Sequence, residues 1–392
     1  MTTTVQADVR EQAAQRFAQL GWPAPQQEEW KYTNVAPIAR VAWKTGKSAC
    51  PPWSDEWRFH ARAAQEFVFV NGSGAQRAAG HELYARYADY MRHPFTALNT
   101  ANAQDGAFLE IPDGTVVDGF IHLLFVGDGD EVWSHPRNLI VVGRNAQVTI
   151  VETYVGRGKY FTNAVTELVA KEGAVVDHAK LVCESLDAFH VGTLQIHEER
   201  AAAVTSRVIT IGGALVRNEI NVALAGEGAS ITLDGLFTLT GRQHADNHTV
   251  IDHLYPHCDS LEVYKGILDQ SARGIFDGRI IVRPDAQKTN SRQTNHNLLL
   301  SETAIVDSKP TLEIHNDDVK CNHGSTIGQL DEEAMFYLRS RGIGEAEARG
   351  LLIYAFASEI VDRMKAEPVR ELVRREMFRS MPERLPERRE AR

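Results

Sequence analysis

The fold is decided by a repeat that begins at Ala146 and runs to about residue 309. Five segments open in the same way: Asn145-Ala146-Gln147-Val148-Thr149-Ile150, Gly173-Ala174-Val175-Val176-Asp177, Arg200-Ala201-Ala202-Ala203-Val204-Thr205, Gly228-Ala229-Ser230-Ile231-Thr232 and Asp285-Ala286-Gln287-Lys288-Thr289. Their reference alanines stand at positions 146, 174, 202, 229 and 286, so the steps are 28, 28, 27 and 57 residues. The last step corresponds to two periods, with Cys258 at the intermediate position. A fixed period of this length indicates one structural unit used repeatedly.

Each unit contains two short strands. The first follows the small residue and the second comes about twenty residues later, as the following runs illustrate: 148–152, 231–234, 164–169, 219–224, 248–252 and 279–282. These runs are rich in β-branched residues that alternate with polar ones, and Gly, Asp, Asn or Pro bounds them, which is typical of strands. A unit this small cannot bury its apolar face alone, so neighbouring units stack. We therefore predict a parallel β-helix of about 28 residues per coil, with coils about 4.8 Å apart. A sandwich with evenly spaced strands is the alternative.

Helical patterns lie on both sides of the repeat. At the N-terminal side, Val9, Ala13, Phe17 and Leu20 recur at helical spacing, and a second helix is predicted over about 81–93. The aromatic and charged run Glu28-Glu29-Trp30-Lys31-Tyr32-Thr33 is typical of an amphipathic surface element. The predicted organisation is an N-terminal helical region at 1–95, a β-helix core at 96–325 and a C-terminal helical domain at 326–392.

The C-terminal helices have clear boundaries. Acidic residues at Asp331-Glu332-Glu333 favour a helix start, and a longer helix is predicted from Gly344. Residues 365–392 are predicted to form a solvated helix and tail. Helices at this place either cap the solenoid or provide a docking surface, and their spacing fits both interpretations.

Composition excludes several classes of protein. The 392 residues carry 42 basic and 52 acidic side chains, a net charge of −10, which gives no general attraction to nucleic acid or to an anionic membrane. No apolar signal segment or membrane span is apparent, and a cytoplasmic location is predicted. The four cysteines are far apart, so neither a disulfide framework nor a structural zinc site is indicated.

Motifs for catalysis are mostly lacking. Lys44-Thr45-Gly46-Lys47-Ser48 resembles the end of a phosphate loop, but Val41 stands where the first glycine is required. His244, His248, His253 and His257 with Cys258 suggest a metal site at first sight. Spacing of four in an extended chain separates side chains by roughly 13 Å at about 3.3 Å per residue, which disfavours a shared ion.

A second grouping is Lys320-Cys321-Asn322-His323-Gly324, where the repeat gives way to helices. Cys321 and His323 are two residues apart, so in a strand they face the same side about 6.6 Å apart. Thiol and imidazole are ligands for iron and for iron–sulfur clusters. A buried cysteine beside a surface histidine is the alternative interpretation.

These residues lie within a longer stretch, 312–331, that is followed by Phe336-Tyr337-Leu338-Arg339-Ser340-Arg341-Gly342-Ile343. The whole stretch resembles the SufB/SufD family, and its SufD branch in particular. Further matching segments extend the resemblance over nearly the whole chain: Glu29-Trp30-Lys31-Tyr32-Thr33, Leu98-Asn99-Thr100-Ala101, Pro136-Arg137-Asn138-Leu139, Pro256-His257-Cys258-Asp259-Ser260, Tyr264-Lys265-Gly266-Ile267-Leu268, Gly278-Arg279-Ile280 and Gln293-Thr294-Asn295.

The resemblance implies a subunit of the Suf complex, which builds iron–sulfur clusters. It implies a mainly β fold, a right-handed parallel β-helix between helical domains, that pairs with a SufB-like paralogue. A SufC-like ATPase would dock on the C-terminal helices, for which the candidate residues are Phe336, Tyr337, Arg339, Arg341, Tyr354 and Phe356. His323 and, second, Cys321 are the implied iron or cluster contacts at the SufB interface.

The resemblance also implies what the chain does not do alone. Leu338 replaces the cysteine of SufB's Phe-Tyr-Cys segment, which leaves SufB as the main scaffold. The expected subunit is non-catalytic, holds no cofactor stably by itself, contacts iron or a cluster transiently, and uses ATP through its partner. A β-helix carbohydrate-active enzyme and a structural homodimer are the alternatives. A SufD-like subunit isolated from its partners is also a candidate homodimer.

Overall fold

A computed structural model describes residues 2–47, 49–74 and 81–381. All nineteen strands of the described residues belong to two long parallel sheets. The first sheet contains nine strands: β2 (Gln65–Val70), β4 (Ile121–Asp128), β7 (Gln147–Arg157), β9 (Val175–Cys183), β11 (Ala203–Thr210), β13 (Ser230–Leu239), β15 (Asp259–Leu268), β17 (Asn290–Leu299) and β19 (Lys320–Gly328). The second contains ten: β1 (Lys44–Thr45), β3 (Phe108–Ile111), β5 (Val132–Ser134), β6 (Arg137–Val142), β8 (Tyr160–Ala170), β10 (Phe189–Glu198), β12 (Leu215–Leu224), β14 (His244–His253), β16 (Arg273–Val282) and β18 (Ile305–Ile314).

The chain alternates between the two sheets, so that each coil adds one parallel strand to each of them. This is the predicted parallel β-helix, a solenoid of about eight turns. Every strand predicted from the repeat lies within an observed strand. The solenoid also starts earlier than the readable repeat, because β2 pairs with β4 and β4 pairs with β7.

The repeat holds in detail up to Cys258. Val175, Ala203, Ser230 and Asp259 are paired in series, so Ala174, Ala202, Ala229 and Cys258 occupy equivalent positions. The assignment of Ala286 to the next position is wrong by three residues. Asn290 pairs with Asp259, which makes Thr289 the equivalent of Cys258. An additional turn at 284–288 lengthens this coil, and Ala286 is buried within it.

The space between the sheets is the main core. It contains inward-facing apolar side chains stacked from coil to coil, with Val148, Val176, Val204 and Ile231 as one such column. Side chains of a strand alternate between its two faces, so an in-register ladder repeats the same inward positions in every coil. The packing therefore couples each residue to its equivalents above and below.

Glycine at position 235 illustrates how closely this interior is packed. A Cβ there would lie 2.1 Å from the ring of Tyr264, which occupies the same column one coil later and is fully buried. The missing side chain thus provides the space that the tyrosine fills.

The N-terminal region contains α1 (Thr2–Leu20), α2 (Ala36–Ala39) and α3 (Pro94–Asn102). The helix predicted over 81–93 is wrong, since those residues form turns and α3 begins at Pro94, a residue favoured in the first helical turn. The run at 28–33 is amphipathic and lies at the surface, as predicted, with Glu28, Glu29 and Lys31 exposed. Trp30 is buried, and the Arg217 guanidinium lies 3.8 Å from its ring centroid, which fastens this segment to the second sheet.

The C-terminal region contains α4 (Glu332–Ser340), α5 (Glu345–Val361) and α6 (Glu367–Ser380). The predicted starts of the first two are confirmed: Asp331 caps α4 by accepting hydrogen bonds from the backbone N–H of Glu333 and Ala334, and Gly344 precedes α5. The description of 365–392 as solvated is wrong for α6, whose Val369 and Met377 are fully buried. Residues 382–392 lie outside the described part of the chain. None of the described helices is long and apolar enough to cross a membrane.

The packing at Gly235 gives a first prediction. Gly235→Ala should lower the free energy of unfolding by about 1–3 kcal/mol, because the added methyl overlaps the Tyr264 ring and the close-packed interior cannot absorb it. Urea unfolding of the full chain measures the change. Gly328→Ala is the matched control, since its Cβ would meet no atom within 4 Å. Equal stability of the two variants would contradict the packing argument.

Candidate functional site

The candidate site lies at the last coil of the solenoid. β18 pairs only with β16 and β19 only with β17, so each sheet ends there, and no described strand covers the outer edge of either one. Ile305, Ile314 and Ile327 of this coil are 42–53% exposed. An uncovered edge offers a row of free backbone N–H and C=O groups to another strand.

Cys321 and His323 lie on β19, as their spacing predicts. Cys321 packs against the main interior cluster, and alternation along the strand places His323 on the same inward face. Cys321 is partly exposed and His323 exposed, because no further coil covers them. The two ligand-type side chains are therefore brought together at the open end of the solenoid.

Behind each of these two residues runs a column of stacked side chains whose last members are polar. The Cys321 column is Val148, Val176, Val204, Ile231, Ser260, Ser291 and Cys321. The His323 column is Ile150, His178, Ser206, Leu233, Glu262, Gln293 and His323. Both columns end in three consecutive polar residues, so the core becomes polar toward the open end.

These buried polar groups bond to one another. The Ser260 hydroxyl donates to Ser291 Oγ at 2.7 Å, and His253 Nε2 lies 2.9 Å from Ser260 Oγ. In the neighbouring column, Gln293 Nε2 donates to Glu262 Oε2 at 2.7 Å. A buried polar group costs free energy unless it is hydrogen-bonded, so these links make the polar interior tolerable.

Burial shifts the acidity of several of these groups. It raises the pKa of Glu262 to about 7 and lowers the pKa of His253 to about 4, because the charged form of each loses its hydration. Burial also raises the pKa of the Cys321 thiol, so the isolated chain holds it mainly protonated at neutral pH. A cation beside the sulfur would favour the thiolate.

Two protein ligands do not complete a metal site. Among the described residues, no group of three or more His, Cys, Asp or Glu side chains is placed to hold one ion. A [2Fe–2S] or [4Fe–4S] cluster is commonly held by four protein ligands. Further ligands would have to come from outside the described part of this chain.

The other histidine grouping is dispersed. On β14, His244 bonds to Thr33 at 2.8 Å and His248 to Asp246 at 2.9 Å, whereas His253 lies inward beside Ser260. His257 stands in the turn after the strand. The segment 44–48, which resembles the end of a phosphate loop, does not form one, because Lys44 and Thr45 form β1. Ser48 lies outside the described residues.

The candidate docking residues fall into two sets. Phe336 and Tyr337 on α4 are 75% and 57% exposed, and Arg339 and Arg341 are exposed beside them. Phe336 and Arg339 line a groove of about 480 Å³ between α4 and the loop after β17. Tyr354 and Phe356 on α5 differ, because they are packed within the chain.

Contacts of α5 explain that difference. Tyr354 stacks on Phe378 with ring centroids 5.9 Å apart, and Phe356 lies 4.6 Å from the ammonium group of Lys265 on the outer face of β15. Lys265 also donates to the Phe356 carbonyl at 3.1 Å and pairs with Glu359. Phe356 therefore joins the helical region to the solenoid, whereas Tyr354 joins α5 to α6.

Glu262 and Gln293 are site residues that the sequence motifs did not predict. Their positions in the His323 column depend on coil lengths of 31 and 30 residues, which depart from the 28-residue period. One signal was available: the polar run Asn290-Ser291-Arg292-Gln293-Thr294-Asn295 places polar residues at both alternating sets of positions, which an apolar core does not explain.

Comparison with known proteins identifies the family. The family model for the SufBD core domain of the SUF iron–sulfur cluster assembly system matches residues 125–356, and the model for the SufBD N-terminal region matches 75–123. The chain belongs to the SufBD family. This confirms the resemblance noted in the sequence.

Relatives within the SufBD family cover most of the chain. It is 33% identical to an iron–sulfur cluster assembly SufBD family protein of Synechocystis over 91% of this chain and 86% of that protein. It is 28% identical to the iron–sulfur cluster assembly protein SufD of Escherichia coli over 95% of this chain and 92% of that protein. SufD of Bacillus subtilis is 28% identical over 71% of this chain and 64% of its own length. The matches make this a SufD-like iron–sulfur cluster assembly protein rather than a carbohydrate-active enzyme.

The buried carboxyl group of Glu262 gives a pH prediction. Its folded-state pKa of about 7 is above the ordinary 4.5, so the folded state binds more protons between these values and loses stability as pH rises through them. Glu262→Gln should therefore increase the free energy of unfolding relative to wild type by about 2–3 kcal/mol at pH 8, and by far less at pH 5.

Urea unfolding of both proteins at pH 5 and pH 8 measures this difference. Glu302→Gln, which alters an exposed carboxylate, is the control and should change stability little at either pH. If the difference in the free energy of unfolding between Glu262→Gln and wild type were the same at both pH values, the raised pKa of Glu262 would be contradicted.

Proposed function

We propose that this chain is the SufD-like subunit of a cytoplasmic Suf complex, pairing with a SufB-like scaffold and docking a SufC-like ATPase. The observation that carries the proposal is the position of Cys321 and His323 at the uncovered end of the solenoid. The subunit acts without catalysis of its own, and iron or a nascent cluster is its cargo.

Pairing with the scaffold is supported by the two free edges of the last coil. A partner that presented equivalent edges would continue both sheets across the junction, with backbone hydrogen bonds providing affinity. Such a junction would also cover Ile305, Ile314 and Ile327. It would bring partner side chains up to Cys321 and His323, which is where the missing ligands are needed.

Cargo contact follows from the chemistry of the two side chains. Thiolate and imidazole both suit iron. Because the chain presents only these two donors, iron would be held across the interface and released when the interface changes shape. Transient contact, with no stable cofactor in the isolated chain, is the corresponding proposal.

Docking of the ATPase is supported by α4. This helix exposes two neighbouring aromatic side chains beside a groove, whereas α5 and α6 are fixed to the first sheet. Lys265 and the Arg363–Asp234 ion pair, 2.9 Å long, connect α5 to β15 and β13. A partner that moved α4 would thus act on a rigid body that includes the last coils.

His323 provides the direct test of cargo contact. His323→Ala should leave the fold and the complex intact and lower the iron and acid-labile sulfide in the anaerobically reconstituted complex severalfold, because one of two donors is lost. His315→Ala, an exposed histidine just after β18, is the matched control. Unchanged cluster content in His323→Ala, with the complex intact, would refute this role.

Docking is tested at α4 by point variants rather than by truncation. Removing everything after residue 330 would also uncover the apolar face beneath α5. Phe336→Ala should weaken ATPase binding by about 2 kcal/mol, or about 30-fold in Kd, as truncation of an aromatic anchor commonly does. Titration calorimetry with the purified ATPase measures Kd.

The control for docking is Leu186→Ala. Leu186 is 62% exposed on the loop between β9 and β10, so it matches Phe336 in exposure but not in place. If Phe336→Ala and Leu186→Ala bind the ATPase equally tightly, α4 is not the docking surface.

A further inference from the structure

Gln293 is the residue directly behind His323. The two are paired in register on β17 and β19, and both lie on the inward face of the sheet. Gln293 is fully buried, and its Nε2 donates to Glu262 Oε2 at 2.7 Å. Its side-chain carbonyl oxygen has no hydrogen-bond partner among the described residues, although it is buried.

The position of this amide is built into the fold. A Cβ at Gly278, on the opposite sheet, would lie 2.4 Å from Gln293 Nε2, so the glycine leaves the space that the amide occupies. If the amide nitrogen and oxygen exchanged places, the oxygen would face the Glu262 carboxylate. The hydrogen bond that Nε2 donates to Glu262 would then be lost. Glu262 and Gly278 therefore hold the amide so that its oxygen remains available.

Other polar groups of the last coil are already engaged. The Ser325 hydroxyl donates to Ser308 Oγ at 2.8 Å, and Ser308 donates to Asn295 Oδ1 at 2.8 Å. Ser291 accepts from Ser260. Adjacent strands lie about 4.8 Å apart, which brings the oxygen of Gln293 within reach of an imidazole in the next coil.

A histidine that binds a metal almost always donates its other ring N–H to an acceptor, which fixes the tautomer and the ring orientation. We propose that Gln293 is a positioning residue for His323: its carbonyl oxygen accepts one imidazole N–H, so that the other ring nitrogen faces the open end of the solenoid. Glu262 acts one step further back by orienting the amide. This inference rests on the proposed function, in which His323 contacts iron.

The test measures Fe²⁺ affinity, by anaerobic competition with a chelator, of the complex that the full chain forms with its scaffold and ATPase partners. Gln293→Met keeps the volume and removes the acceptor. It should weaken Fe²⁺ binding about tenfold, the usual lower bound for losing such a partner of a metal-bound histidine. Gln293→Asn, which shortens the side chain and withdraws the oxygen from His323, should also weaken Fe²⁺ binding. It replaces Gln293→Met in the test if the methionine variant fails to fold.

The exchange variant Glu262→Gln with Gln293→Glu separates positioning from packing. It keeps a carboxyl–amide pair at these positions and returns an acceptor oxygen behind His323, so Fe²⁺ affinity should recover to the wild-type value. Gln243→Met is the matched control, the same substitution at a buried glutamine between β13 and β14, away from the last coil, and should leave the affinity unchanged.

A double variant keeps the two proposals distinguishable. If Gln293 acts through His323, then Gln293→Met should have no further effect in a His323→Ala background. Three results would each overturn this inference. The first is wild-type Fe²⁺ affinity in Gln293→Met, and the second is a folded exchange variant whose Fe²⁺ affinity does not recover. The third is a Gln293→Met substitution that weakens Fe²⁺ binding as much in the His323→Ala background as in wild type. An unchanged affinity in His323→Ala itself would instead overturn the proposed function.

Discussion

The in-register parallel pairing of strands is the constraint on which the rest of the structure depends. Each strand stacks on its equivalent in the next coil at about 4.8 Å, so side chains at equivalent positions must share one column of space. Tyr264 fills the space that Gly235 leaves in the preceding coil, whereas Phe69, Phe125 and Tyr154 stack on one another in three successive coils. Buried polar residues find partners by the same rule, since His178 is bonded to Ser206 one coil later at 2.9 Å.

This ladder has to end, and its end is chemically different from its middle. In the middle, each inward side chain is covered on both sides by its neighbours. At the last coil one side is uncovered, and an apolar core would be exposed to water there. The two inward columns that end at Cys321 and His323 are polar over their last three coils, which lowers that cost and places hydrogen-bonding groups behind both residues. The geometry of the end thus explains both the free edges and the polar interior.

The outer faces of the two sheets are used differently. One is fastened to the N-terminal segment by the stack of Arg217 on Trp30. The other is covered by α5 and α6, with Lys265 pairing with Glu359 beneath them. Only α4 of these C-terminal helices has no buried residue. α5 is thus attached to the first sheet, whereas α4 leaves its aromatic side chains exposed.

The sequence by itself determined the repeat, the parallel β-helix, the helical ends and the placement of Cys321 beside His323, because period and alternation are local properties of the chain. It did not determine the register after Cys258, where an additional turn moves the equivalent position from Ala286 to Thr289. Only the tertiary structure decided that Trp30 is buried, that Tyr354 and Phe356 are partly buried against their neighbours, and that Gln293 lies behind His323. Such contacts join residues that are tens to hundreds of positions apart, and the length of every intervening loop enters into which of them meet.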